Sequence, residues 1–141
     1  MTSIFKYTPT PDQLNERGQN TLIHTLGIKF TEIGDDYIKA ILPVDHRTKQ
    51  PMGILHGGAS AAFAETLGSM ASTMCINIPN TYPVGIELNV NHLKSTTDGT
   101  VTGIVKPIRI GKTIHVWNIE MYNEEMVMTA ISRLTVMLIN K

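Results

Sequence analysis

Glu65 is the only formally charged residue between Gln50 and Ile76. A carboxylate among so many apolar and small neighbours is costly to bury unless it is paired, or unless its raised proton affinity is put to use. Eight residues upstream stand His56, Gly57 and Gly58. The first N–H groups of a helix lack intrahelical partners, and glycine lets a ligand approach the backbone closely. A helix opening at Gly57 therefore offers a site for an anion or a developing oxyanion. Ser69 follows Glu65 by four residues and projects from the same helix face. An oxyanion donor polarises a carbonyl, and a carboxylate activates water or attacks directly. Together they make hydrolase chemistry.

These groups need a rigid frame. Ala59, Ala61, Ala62, Phe63, Ala64, Leu67, Met70, Ala71 and Met74 leave the second half of that stretch almost no polar face. A helix apolar all round belongs inside a protein. Before it, residues 1–11, with Pro9 and Pro11, read as an exposed lead-in. Asp12 to Leu26 reads as one short helix, weakened by Gly18. Gly27–Ile33 and Tyr37–Val44 alternate as two strands of a hairpin around Gly34-Asp35-Asp36. Pro79-Asn80 breaks the chain after the helix. In the next strand Val84, Ile86, Leu88, Val90 and His92 share one face. Asp98-Gly99 is a hairpin signal. Val101–Ile110 follows, with Pro107 marking a bulge or an edge. Gly111-Lys112 turns into Ile114–Tyr122, and Asn123-Glu124-Glu125 turns into Met126–Ile139. The outline is α+β, a curved antiparallel sheet wrapped around one long central helix. Residues 1–26 form the lead-in and short helix, and residues 27–141 the principal domain.

Composition narrows the function. A chain of 141 residues holds one substantial core, and a formal net charge of zero gives no broad attraction to nucleic acid or anionic membrane. Cys75 is the single cysteine, which excludes an intrachain disulfide and fits a reducing compartment. No basic region followed by an apolar run opens the sequence, and Glu65 and several serines interrupt the longest apolar stretch. The expected setting is the cytoplasm. Other chemistries fail on spacing. Gly111-Lys112-Thr113 lacks the first glycine of a phosphate-binding loop, whose position holds Lys106. Ser60 lies outside a nucleophile elbow. His24, His46, His56, His92 and His115 show no close metal-ligand spacing. Cys75 reads as buried and inert.

Helix geometry implies two chains. Gly57 and Glu65 are separated by ~12 Å of helix rise, too far for one small group to meet both. Two antiparallel copies of the helix about a two-fold axis would bring Gly57 of one chain to Glu65 of the other.

The segments Gln50-Pro51, His56-Gly57-Gly58-Ala59 and Glu65-Thr66-Leu67-Gly68-Ser69 resemble the hotdog-fold acyl-CoA thioesterases. They are most similar to the branch that holds 1,4-dihydroxy-2-naphthoyl-CoA hydrolase, the enterobactin proofreading thioesterase and the phenylacetate-pathway thioesterases. Pro43-Val44-Asp45-His46-Arg47-Thr48, Gly85-Ile86-Glu87-Leu88-Asn89, Asn91-His92 and Ser132-Arg133-Leu134-Thr135 extend the likeness across about residues 26–139. The departures are the N-terminal segment and the stretch from Thr73 to Tyr82.

The resemblance implies roles. Glu65 matches the family's catalytic carboxylate, as general base or as nucleophile through an anhydride. The Gly57 amide matches the oxyanion donor. Gln50 and His56 match residues flanking the thioester, and Ser69 a hydroxyl that positions water or substrate. Coenzyme A contacts match Gly85, then His92, Leu93, Lys94 and Ser95. A further contact stretch matches Arg109, Gly111, Lys112, Thr113 and Ile114. Lys94, Arg109 and Lys112 suit the nucleotide phosphates. The implied enzyme is a homodimer with shared sites, built into a dimer of dimers. It needs no metal or prosthetic group, and its coenzyme A arrives with the substrate. An aromatic or 2-hydroxyaryl acyl group is implied.

Plainer roles stand beside these. Gln50 suits loop backbone, His56 a helix cap, Ser69 packing, His92 the core, and the three cations solvent. Met52, Met70 and Met74 suit either the core or an adaptable acyl pocket. A medium-chain aliphatic acyl-CoA hydrolase and a non-catalytic acyl-CoA or acyl-carrier-binding protein remain alternatives.

Overall fold

Thr10 starts the first element by a capping box: its hydroxyl accepts from the Gln13 N–H, and the Gln13 side chain accepts from the Thr10 N–H. With Pro11 at the first helical position, α1 (Pro11–Arg17) follows. The sequence pattern implies one helix from Asp12 to Leu26, but two form. Asn20 adopts φ 62°, which a right-handed helix cannot contain, and α2 (Leu22–Leu26) restarts from a Thr21 cap. The preceding segment is not an exposed lead-in either. Phe5 is buried in the same core as Leu14 of α1 and the long helix. The Ile4 N–H donates to the Asp35 carbonyl, and the Lys6 and Tyr7 N–H groups to the Met74 carbonyl.

The computed structural model describes all 141 residues. After α2 come β1 (Lys29–Ile33) and β2 (Ile38–Pro43), the long helix α3 (Gly57–Met74), and β3 (Thr81–His92). Then follow β4 (Thr100–Ile110), β5 (Ile114–Tyr122) and β6 (Met128–Asn140). All strand pairs are antiparallel, in the order β1-β2-β4-β5-β6-β3. This is the expected α+β arrangement. Strict alternation along β5 turns His115, Trp117, Ile119 and Met121 into the core. Trp117, Ile119 and Met121 meet Phe63, Leu67, Ala71 and Met74 of α3 in one cluster. Gly103 in β4 leaves room for the helix, because a Cβ there would come within 2.6 Å of Leu67 and 2.7 Å of Phe63.

Two strand expectations change. Asp98-Gly99 does turn the chain, with Gly99 at φ 70°, but it closes no hairpin. β3 pairs with β6 at one edge while β4 pairs with β2, so residues 93–99 cross the end of the sheet. Leu93 and Lys94 N–H groups donate to Thr129, and Gly99 accepts from Val44. In β3 a bulge leaves Ile86 unpaired, between Gly85 opposite Val136 and Glu87 opposite Thr135. The extra residue reverses the alternation. Leu88 and Val90 pack on the core, whereas Val84 and Ile86 are exposed. Pro107 marks a second bulge, as its sequence position implies.

One polar knot ties α3 to the sheet. The Trp117 indole N–H donates to Ser72 Oγ at 2.7 Å, and His115 Nδ1 lies 3.0 Å from the same oxygen. Indole can only donate, so the Ser72 hydroxyl is left to donate to Nδ1. Burial pulls the His115 imidazole below its usual range and favours the neutral ring this bond requires. No helix is long and apolar enough to cross a membrane.

Candidate active site

His56 caps α3. Its backbone is extended at φ −68° and ψ 129°, and its Nδ1 accepts from the Gly58 N–H at 2.7 Å. That bond assigns the neutral ring's proton to Nε2. The Gly57 N–H, by contrast, donates to no group of the chain. The His92 ring lies against it: a Cβ at position 57 would stand 3.0 Å from His92 Nε2. Glycine thus combines a free first-turn donor with this contact, which any Cβ would tighten against the His92 ring.

A cavity of about 320 Å³ opens here, lined by Gln50, Gly57, Ser60, His92, Leu93, Lys94, Ser95, Thr96 and Thr129 among others. It contains no carboxylate. Gln50 Oε1 accepts from the Met52 N–H, so the amide NH₂ is the end left for a ligand. The Thr96 and Thr129 hydroxyls are buried with no hydrogen-bond partner. Buried unsatisfied groups are rare in folded proteins. Neither threonine stands out in the sequence. The adjacency of Thr96 to Ser95 is the one signal available.

Two turns along α3, Glu65 is half-buried on the helix face left open by the sheet, with Ala61, Ala62, Thr66, Ser69 and Thr73 also half-buried. The chain gives its carboxylate no hydrogen bond and no ion pair. Desolvation is the one cause acting on it, and raises its pKa above the ordinary carboxylate value. β3 delivers Gly85 directly to it: a Cβ at 85 would lie 2.2 Å from Glu65 Oε1. Gly85 thus meets the carboxylate, at a different point from the cavity lined by His92, Leu93, Lys94 and Ser95. Ser69 is one turn beyond, its carbonyl accepting from Thr73 Oγ1 at 2.8 Å.

The remaining expected residues are elsewhere. Arg109, Gly111, Lys112 and Thr113 line a second cavity of about 780 Å³ near the C-terminal end of α3, and Ile114 is not among its walls. Cys75 is the buried C-cap of α3, and burial pushes its thiol up to about 11. No three His, Cys, Asp or Glu side chains gather as a metal cluster. One chain therefore holds Gly57 with Gln50 in one place, Glu65 with Gly85 in another, and the 109–113 turn in a third.

The Thioesterase superfamily model matches residues 52–130, more than half of the chain. The chain belongs to this superfamily, has the hotdog fold and is a thioester hydrolase. It is 43% identical over 132 residues to 1,4-dihydroxy-2-naphthoyl-CoA hydrolase of Escherichia coli K12, covering 94% of this chain and 96% of that one. A thioesterase of Haemophilus influenzae superposes with a TM-score of 0.94 at 43% identity, covering 97% of this chain and 95% of the other. A thioesterase of Pseudomonas aeruginosa, solved as a glutamine-to-alanine mutant, gives 0.97 at 41% identity and covers 99% and 100%.

Proposed function

We propose that the chain hydrolyses an aryl-CoA or 2-hydroxyaryl-CoA to the free acid and coenzyme A, at sites shared between two chains. The observation that carries this reading is Glu65, a half-buried carboxylate with no partner and a raised pKa on an open helix face. A structural carboxylate would have a counter-ion. The likeness to 1,4-dihydroxy-2-naphthoyl-CoA hydrolase favours an aryl acyl group. The solved Staphylococcus aureus neighbours, at 36% identity, carry substitutions at a glutamate and a glutamine fifteen positions apart, the separation of Gln50 and Glu65 here.

In this mechanism the thioester oxygen meets the free Gly57 N–H of one chain, with the α3 dipole behind it. The Gln50 amide NH₂ steadies the same group. Glu65 of the other chain takes a proton from water as the water oxygen adds to the carbonyl carbon. The C–S bond then breaks, and the departing thiolate receives a proton. In the anhydride route Glu65 Oε attacks the carbonyl carbon itself, the C–S bond breaks and the thiolate leaves to take up a proton. Water then cleaves the acyl–Glu65 bond to give the free acid and restore the carboxylate. His56 acts as the cap that holds Gly57 and Gly58 in place. Ser69 orients water from the same face as Glu65. Lys94 joins Gln50 and Gly57 at the first cavity, and Arg109 and Lys112 meet the nucleotide phosphates at the second. No metal or prosthetic group enters the reaction. The dimer pairs further into a tetramer, and the enzyme works in the cytoplasm.

A thiol-release assay across benzoyl-, 2-hydroxybenzoyl-, hexanoyl- and decanoyl-CoA tests the proposal. The aryl substrates should give the highest kcat/KM. Preference for the aliphatic pair would overturn the acyl assignment. Binding without any turnover would overturn the catalytic role.

Gly85 offers a separate check. Gly85→Ala places a methyl 2.2 Å from Glu65 Oε1, so the carboxylate must move. Small misplacements of reacting groups cost up to about 10²-fold. We expect kcat to fall at least tenfold, with circular dichroism unchanged. Full activity in a folded Gly85→Ala variant would detach Gly85 from the site.

A further inference from the structure

The cavity at the C-terminal end of α3 has a wall that no sequence motif marks. Lys6 lines it, together with the turn that carries Arg109 and Lys112. No Asp or Glu lines it, and none of the three cations is in an ion pair. Lys6 also lines an adjoining cavity of about 400 Å³ with Arg17, again without a carboxylate. In a chain of zero formal net charge, this is a concentrated anion-attracting region.

Lys6 is held there by its backbone. Phe5 is buried in the core beside it. The Lys6 and Tyr7 N–H groups both donate to Met74, and the Ile4 N–H and Ser3 hydroxyl bind Asp35. The N-terminal segment is thus a strap fastened on both sides of Lys6, with the ammonium stem at the cavity wall. Lys6 acts on Cys75 as well, partly offsetting the effect of burial on that thiol.

The cavity's chemistry selects its ligand. Its concavity suits a small molecule better than a protein surface. Cations and the side chains of Asn77, Thr81 and Thr113 suit phosphate oxygens, and Ile110 and Leu138 suit a flat heterocycle. Along α3, Cys75 lies ~15 Å beyond Glu65. An extended pantetheine arm, equal to roughly four residues of extended chain, spans about 14 Å.

We propose that Lys6 binds a phosphate of the nucleotide end of acyl-CoA, so that the N-terminal strap forms one wall of the substrate site. This rests on the acyl-CoA reading above and adds to it a residue outside the 109–114 turn.

The test compares the parent, Lys6→Ala and Lys6→Arg in two measurements. Calorimetry with coenzyme A itself reads binding. Hydrolysis reads kinetics, with an aryl-CoA and with the same acyl group on N-acetylcysteamine, which has no nucleotide. Lys6→Ala should weaken coenzyme A binding and raise KM for the aryl-CoA by about tenfold, with kcat unchanged. KM for the N-acetylcysteamine thioester should not move. Lys6→Arg should retain parental values, and about 1 M salt should shrink the difference. Unchanged coenzyme A affinity in Lys6→Ala would overturn the proposal. So would an equal KM increase for both substrates, which marks a structural strap. Should the parent bind coenzyme A yet hydrolyse no thioester, the reaction assignment fails while calorimetry still decides Lys6.

Discussion

Glu65→Gln is expected to lower kcat at least ~10²-fold, while the protein still binds coenzyme A and becomes no less stable. The amide keeps the shape of the side chain and loses its capacity to take a proton or attack a carbonyl. The stability half follows from the raised pKa. In the folded chain Glu65 holds its proton to a higher pH than when unfolded. Between those two pKa values the folded state binds more protons, so stability falls as pH rises through the window. As the pH rises through that window the parent loses this contribution, and Glu65→Gln has no such loss. Thermal unfolding of the two proteins from pH 4 to pH 8 should show the parent declining relative to the variant. The same titration limits catalysis from the acid side. Parental kcat/KM should drop with falling pH at a value above that of an ordinary glutamate. Turnover within tenfold of the parent, in equally folded protein, would remove Glu65 from the chemistry.

Mixing two dead proteins should restore activity. If Glu65 works with Gln50 and Gly57 of a partner chain, a dimer of Glu65→Ala with Gln50→Ala contains one doubly damaged site and one intact site. Random pairing gives half mixed dimers, each with half its sites working, so about one quarter of parental activity returns after joint refolding. Its basis is the ~12 Å rise from Gly57 to Glu65 and the placement of Glu65 outside the cavity that holds Gly57 and Gln50. Mass spectrometry confirms that mixed dimers have formed. Mixed dimers without recovered activity would place both residues in one chain's site.

Much of this was legible because the signals are local. The apolar helix, its glycine start and Glu65 lie within one stretch, and the strand alternation in β5 is strict. Apart from the helix break at Asn20, which is a local backbone feature, the misses are decided by contacts distant in sequence. Nothing in Asp98-Gly99 says that β3 pairs with β6 rather than β4. The bulge at Ile86 leaves no residue-type signature, yet it turns Gly85 onto Glu65. Phe5 looks like one apolar residue in a polar lead-in until the core reaches it. Among site residues, Gln50 and His56 perform the plainer roles, loop bonding and capping, while still bordering the candidate oxyanion site. Lys6 was not legible as a site residue, since only the fold brings it to the same cavity as Arg109 and Lys112.

Trp117 is the sole tryptophan, fully buried, and its indole N–H is bound to a serine on α3. Its fluorescence therefore gauges one event, the seating of the helix on the sheet. Emission should be blue-shifted in the native protein and move to the red as one transition on denaturation. Because the ring is fully buried and lines none of the cavities described above, substitutions at Glu65, Gln50 or Lys6 should leave the native spectrum unchanged. A variant that has lost turnover can then be sorted in a single cuvette: an unshifted spectrum means intact architecture, and a red-shifted one means a helix that has come off its sheet.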